Sequence, residues 1–327
     1  MIITRAPLRM SFFGGGTDYP EHFRKSGGAV LATTIDKYSY VTASRFHSPL
    51  FDYRVRLSYR ENELVQNVSQ IRHNVFRACL TYLGLSGDIE LHTVADLPSF
   101  TGLGSSSSFT VALLQALHAF RGEFRTPAEL AREAIHVERE ILREAVGCQD
   151  QVLAAFGGFN LVEFSRDEQF VVRRVPVPGP RLAEFERHLF IVFTGIKRSA
   201  PEVASQQLRR IPENVSTLAA MHAMVEHAWD ILTGGSNLEQ FGILLHEAWI
   251  AKRSLDGGVS NPTIDGLYER GRAAGAIGGK LLGAGGGGFI LFFVPPKLQG
   301  QVRAVFSPDH VLDVRLNSPG SQVIFSE

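Results

Sequence analysis

Cysteine is scarce in this chain of 327 residues: only Cys79 and Cys148 occur. Two cysteines cannot build a disulfide framework, and they suit a reducing compartment, so the cytoplasm is the expected location. An excess of either charge is also missing. Thirty-three Lys and Arg balance 33 Asp and Glu, so no overall field draws the chain to nucleic acid or to an anionic membrane. Any phosphorylated ligand must be held by local groups. Long hydrophobic runs are lacking too. The longest, residues 281–294, is rich in glycine and too short to span a bilayer. Residues 1–13 do not have the layout of a signal peptide.

What is present is enough apolar material, 44% of the residues, for sizeable cores in about two domains. A proline-rich stretch at 176–180 separates the halves, giving expected domains at 1–180 and 181–327. Residues 29–35, 38–44 and 89–94 read as strands from their β-branched and aromatic content. Residues 73–83 read as a helix, and 109–119 as a helix apolar nearly all round and therefore buried. Thr126, Pro127 and Glu129 spell a capping box at the start of another helix. In the second half, 189–194 reads as a strand, and 213–232 and 238–255 as helices, the latter with Ser236 and Glu239 as its box. A helix over 262–274 follows. Strands are expected at 277–282, 289–294, 311–316 and 323–325. The mixture predicts an α+β fold of layered domains.

The most informative segment is Pro98-Ser-Phe-Thr-Gly102-Leu103-Gly104-Ser105-Ser106-Ser107-Ser108. A glycine turn that opens a helix after a strand offers free N–H groups at the positive end of the helix dipole, a ready site for phosphate. The serine hydroxyls can reach phosphate oxygens or a magnesium ion. A simple polar N-cap accounts for one serine, less readily for four beside two glycines. Two further glycine loops lie far away in sequence, Gly14-Gly15-Gly16-Thr17-Asp18 and Gly283-Ala-Gly285-Gly286-Gly287-Gly288. Three such loops suggest one shared ligand cleft. The last spells GxGxxG, but a strand follows it where a dinucleotide fingerprint needs a helix. Gly279-Lys280 precedes Leu281, so it is not a Walker A loop.

Glu138 falls on the apolar stripe of its helix, with Ala134 and Leu142. An inward carboxylate needs a cation, a donor or a metal, and Arg9 is one candidate partner. Asp150 lies just beyond. Phosphoryl transfer to a hydroxyl requires a magnesium site, an acceptor for the alcohol proton and cations for the developing charge. A loop serine with Glu138 suits the first role, Asp150 the second and Arg9 the third. A turn-capping role for Asp150 and a surface position for Arg9 are the plain alternatives.

In order and spacing, the three loops resemble the three motifs of the GHMP kinases, the group named for galactokinase, homoserine kinase, mevalonate kinase and phosphomevalonate kinase. The resemblance spans essentially the whole chain. It implies an N-terminal domain like domain 2 of ribosomal protein S5 and a C-terminal ferredoxin-like domain, with ATP and Mg2+ between them. It implies nucleotide contacts from Pro98, Gly102, Leu103, Gly104, Ser105, Ser106, Ser107 and Ser108. It makes Asp150 the catalytic aspartate, Arg9 the basic residue beside the acceptor hydroxyl, and Ser106 with Glu138 the magnesium pair. Gly14, Gly15, Gly16, Thr17, Asp18, Gly285 and Gly286 fall on the substrate side. Galactokinases carry Gly-Glu-His-Thr-Asp in the first motif, and this chain lacks the glutamate and histidine, which argues against galactose. Phe-Gly-Gly-Gly-Thr-Asp looks like the branch of D-glycero-D-manno-heptose 7-phosphate kinases and L-fucokinases, which act on the anomeric hydroxyl. Lys197 and Arg198 are candidates to hold a phosphate already on the sugar; solvated surface charge is the alternative. The implied partner is thus a sugar or sugar phosphate, with a homodimer allowed for and neither nucleic acid nor membrane. A sugar sensor on the same fold and a nicotinamide enzyme are the competing readings.

Overall fold

The computed structural model describes residues 1–99, 101–197 and 200–327. The chain opens with β1 (Ile2–Phe13), α1 (Pro20–Ser26) and β2 (Gly28–Arg45). There follow β3 (Val55–Ser58), β4 (Asn62–Val65), α2 (Asn74–Tyr82), β5 (Ile89–Ala95), α3 (Ser105–Phe120), α4 (Pro127–His136) and α5 (Gln149–Phe156). β6 (Phe159–Phe164) and β7 (Phe170–Arg174) lead into α6 (Gly179–His188) and β8 (Leu189–Phe193). Four helices come next: α7 (Ala200–Arg209), α8 (Val215–Thr233), α9 (Glu239–Ser254) and α10 (Pro262–Ala273). The chain ends with β9 (Gly278–Leu281), β10 (Phe289–Phe293), α11 (Gln299–Ala304), β11 (Val311–Leu312) and β12 (Gln322–Ser326).

Among the described residues the strands form two sheets. The larger runs β12-β1-β2-β5-β3-β4, with β6 and β7 continuing from β2. The smaller, antiparallel throughout, runs β11-β8-β10-β9. β2 covers both expected strands, 29–35 and 38–44, in one piece. Asp36 and Lys37 do not interrupt it, because Asp36 is fixed by a pair of hydrogen bonds with the backbone of Arg315, at 3.0 and 2.9 Å. The strand changes neighbours there, pairing with β6 before and β5 after.

Helices α2 to α5 cover one face of the large sheet, and Val111, Leu114, Val137, Val152 and Leu153 are buried there. The opposite face packs on the second half of the chain. Phe12 meets Phe241 at 5.4 Å between ring centroids, Phe241 meets Phe185 at 4.8 Å, and Phe293 lies 5.8 Å from Phe241. With both faces covered, β1 is buried from Ala6 to Phe13, which explains its nearly continuous apolar run. The small sheet has its own core around Trp249, Tyr268 and Phe292.

Several boundaries depart from expectation. α3 begins at the serines themselves, four residues before the apolar run, because Gly104 in the left-handed region (φ 75°) turns the chain straight into the helix. The box at Thr126 forms as expected, with Glu129 N–H on Thr126 Oγ1 and Thr126 N–H on Glu129 Oε2. The box expected from Ser236 does not form: Asn237 Oδ1 accepts from Glu239 N–H at 2.9 Å instead. The strand expected over 311–316 stops at Leu312, since the chain then crosses to the large sheet, where Leu316 bridges to Ile35. β12 pairs with β1, closing the chain onto its own first strand.

Candidate active site

The serine loop and the third glycine loop face each other backbone to backbone. A Cβ placed at Gly102 would lie 2.6 Å from Leu282 O, and one at Gly283 would lie 2.5 Å from Gly102 Cα. Both positions therefore need glycine, which also supplies their positive φ values. The third loop is anchored on its far side by Gly286 N–H to Val259 O at 2.9 Å and Gly288 N–H to Ile196 O at 3.0 Å. Gly285 also abuts Val259, so Gly285 and Gly286 serve here as a packed wall.

At the start of α3, Ser108 is the first residue whose N–H closes back, onto Gly104 O at 3.0 Å. The amides of Ser105, Ser106 and Ser107 are left at the open end of the helix, as at any helix start. Ser106 is exposed, whereas Ser107 and Ser108 are buried. Ser108 Oγ donates to Pro7 O at 2.7 Å and so ties the helix to β1. Pro98 and Leu103 flank the turn; Leu103 is fully buried and its carbonyl accepts from Arg9 N–H at 3.0 Å.

Arg9 is buried, and its guanidinium forks onto Asp150 with bonds of 2.7 and 2.6 Å. Its remaining arm donates to Gly102 O at 2.6 Å. The surface alternative for Arg9 is thereby excluded, and Asp150, in the first turn of α5, is held by Arg9. A Cβ at Gly104 would lie 3.2 Å from Asp150 Oδ2 and from Arg9 Cγ, so the serine loop, the arginine and the aspartate adjoin.

Glu138 is wholly buried and does not meet Arg9. It sits in a π-turn, Val137–Ile141, that continues α4. Such turns often mark functional positions. Its Oε2 accepts from Ser107 Oγ at 2.8 Å and from Gln151 Nε2 at 2.5 Å. Its Oε1 is buried with no partner among the described residues. Burial pushes the carboxyl up to about 7, against the pull of its hydrogen bonds. A cation at Oε1 would relieve that state, and magnesium needs few protein oxygens when phosphates supply the rest. The residues present fit the ion, with Ser107 rather than Ser106 as the serine already touching Glu138.

On the substrate side, Asp18 is buried and accepts from Gly16 N–H at 2.9 Å and Gln149 N–H at 3.3 Å. Burial first and the neighbouring Asp150 second raise its carboxyl above the ordinary range. Thr17 Oγ1 bonds Gly14 O and Ala29 O, holding the Gly14–Gly16 turn against β2. A small pocket beside this loop is lined by Gly16, Tyr19, Gln207, Leu208, Ile211, Asn214, Leu218 and Leu255. Lys197 is exposed next to the third loop; Arg198 lies outside the described residues.

Two further cations are buried beside the loops, Lys252 and Lys280. Lys252 Nζ donates to Leu281 O at 2.8 Å and to Gly283 O, and Lys280 Nζ donates to Phe12 O at 2.8 Å. A signal existed for Lys252: it continues the buried positions Leu245, Ala248 and Trp249 at helical spacing.

Residues 63–158 match the family described as GHMP kinases N terminal domain, and residues 221–307 match GHMP kinases C terminal. The chain is 33% identical to D-glycero-alpha-D-manno-heptose 7-phosphate kinase of Campylobacter jejuni, covering 90% of each. It is 25% identical to L-fucokinase/L-fucose-1-P guanylyltransferase of Bacteroides fragilis, covering 91% of this chain and 35% of that protein. The crystal structure of a D-glycero-D-manno-heptose 1-phosphate kinase from Bacteroides thetaiotaomicron superposes with a TM-score of 0.80 at 24% identity, covering all of both chains.

Proposed function

The chain belongs to the GHMP kinases, phosphotransferases with a hydroxyl acceptor, and on that premise we propose that it phosphorylates the anomeric hydroxyl of D-glycero-D-manno-heptose 7-phosphate. The product is the 1,7-bisphosphate. The observation that carries this reading is the 33% identity to the Campylobacter heptose 7-phosphate kinase across 90% of both chains.

In the proposed reaction, the open amides of Ser105–Ser107 receive the ATP phosphates, with Pro98, Gly102, Leu103, Gly104 and Ser108 shaping the loop. Asp18 and the Gly14–Thr17 turn hold sugar hydroxyls. Glu138, with Ser107 already on its carboxylate and Ser106 beside it at the open end of α3, would hold Mg2+, which when bound neutralises phosphate charge. Asp150 accepts the proton of the anomeric hydroxyl as its oxygen bonds to the γ-phosphorus and the bond to ADP breaks. Arg9 keeps the carboxylate aimed and adds positive charge beside the transferring group. Lys197, exposed beside the third loop, and Arg198 hold the phosphate already on the sugar.

Phosphorus NMR of the product is the test. Two phosphate esters, one of them anomeric, support the assignment; a single ester, or a second one at a non-anomeric carbon, contradicts it.

One observation favours a second reading, a kinase for a free sugar such as L-fucose. Among the described residues the lining of the pocket beside Gly16 carries no charged side chain, which agrees with the Bacteroides fucokinase among the relatives.

A further inference from the structure

Lys252 and Lys280 are almost wholly buried, at 7% and 3% exposure. Among the described residues neither has a carboxylate within ion-pair distance; their acceptors are backbone carbonyls. A buried ammonium held only by carbonyls is costly, and it persists where something rewards it. The positions of those carbonyls are informative. Phe12 O lies at the entrance to the first glycine loop, and Gly283 O lies in the third. Gly283 in turn packs on Gly102 of the serine loop.

The charged groups that face the pair come from each neighbouring element. β1 supplies Arg9, whose charge Asp150 of α5 already matches. The loop after β1 supplies Asp18, whose charge acts on Lys280 of β9, and Lys280 in turn acts on Lys252 of α9. The start of α3 contributes amides and hydroxyls only. The balance of Lys252, Lys280 and Asp18 is therefore positive, with Asp18 itself biased toward its neutral form. Burial lowers both lysines, reinforced by Lys280 and Arg9 at Lys252 and by Arg9 at Lys280, where Asp18 opposes it; Lys280 is brought down to about 7.

We propose that Lys252 and Lys280 form a buried cationic floor beneath the three glycine loops, strengthening nucleotide phosphate binding at the expense of stability. The inference rests on the nucleotide reading above. The lysines act through space and through the loops they hold, as positioning and field-setting residues. An arriving anion favours their charged form, so nucleotide binding takes up protons above neutral pH.

The test is calorimetry with ADP as the probe, at about pH 8 in two buffers of different ionisation enthalpy, together with thermal melting. The variants are Lys280→Met, Lys252→Met and Lys280→Gln, the last keeping a donor for Phe12 O without the charge. Wild type is expected to take up protons on binding ADP. Each variant is expected to bind ADP about tenfold more weakly, to take up fewer protons and to melt no lower than wild type. A lower melting temperature with ADP affinity and proton uptake unchanged makes the lysines structural struts and overturns the inference alone. Failure of wild type to bind ADP at all overturns both this inference and the kinase reading.

Discussion

Arg9 and Asp150 meet through two parallel bonds, Nε to Oδ1 at 2.7 Å and Nη2 to Oδ2 at 2.6 Å, while Arg9 Nη1 grips Gly102 O at 2.6 Å. One side chain thus joins the proposed base to the proposed phosphate loop. Lysine, a single-point donor, cannot make this fork. Arg9→Lys is expected to lower kcat by about 10- to 100-fold, with a smaller effect on ATP affinity. An unchanged kcat in steady-state kinetics would show that the fork is dispensable.

Asp150→Asn keeps the shape of the carboxylate and removes its ability to take a proton. Loss of a positioned base lowers kcat by about 100- to 10,000-fold, while ADP binding measured by calorimetry stays within a few-fold of wild type. A variant with near-normal kcat removes Asp150 from the chemistry.

Much of this site was legible in the sequence, and the rest was hidden for identifiable reasons. The serine loop carried its meaning locally, because glycine at the turn and serine at the helix start each have a backbone reason to be there. Thr126 and Glu129 likewise act on residues three apart. Ser236 spelled the same box and failed, since Asn237 stood one residue nearer to Glu239. Glu138 was recognisable as inward-facing from helical spacing alone. Its partners were not, because Ser107 and Gln151 come from two other helices. β12 was readable as a strand, but its pairing with β1 depends on a crossing at 313–316 that no local pattern announces. Lys252 continues the buried stripe of α9, but its carbonyl partners come together only when the third glycine loop is folded over it.

Glu138 carries a pH signature. Its carboxyl is raised from 4.5 to about 7 by burial. The folded state therefore holds a proton between those values that the unfolded state has released, so stability falls as pH rises through that window. Glu138→Gln removes this dependence. The variant is expected to gain up to about 3 kcal/mol over wild type at about pH 8 and little at about pH 5. Denaturant unfolding at the two pH values checks it. The same variant is expected to need at least tenfold more Mg2+ for half-maximal turnover. An unaltered Mg2+ requirement would take Glu138 out of the metal site.

Gly104 has φ 75°, and a Cβ there would press on Asp150 Oδ2 and Arg9 Cγ at 3.2 Å. Gly104→Ala is expected to fold with a loss of about 1–2 kcal/mol. It should lower kcat/KM at least tenfold, because the methyl group displaces the fork. Melting temperature and kcat/KM measured on one preparation separate the two effects. A variant that loses stability but keeps its activity would show that the loop tolerates the shift.

The most direct test of the whole account is the rate of ATP consumption by the wild-type protein with D-glycero-D-manno-heptose 7-phosphate, free hexoses and L-fucose side by side. A heptose 7-phosphate kinase gives its highest kcat/KM with the heptose 7-phosphate. A higher kcat/KM for unphosphorylated fucose, or no sugar-dependent ATP consumption with any of them, would contradict it.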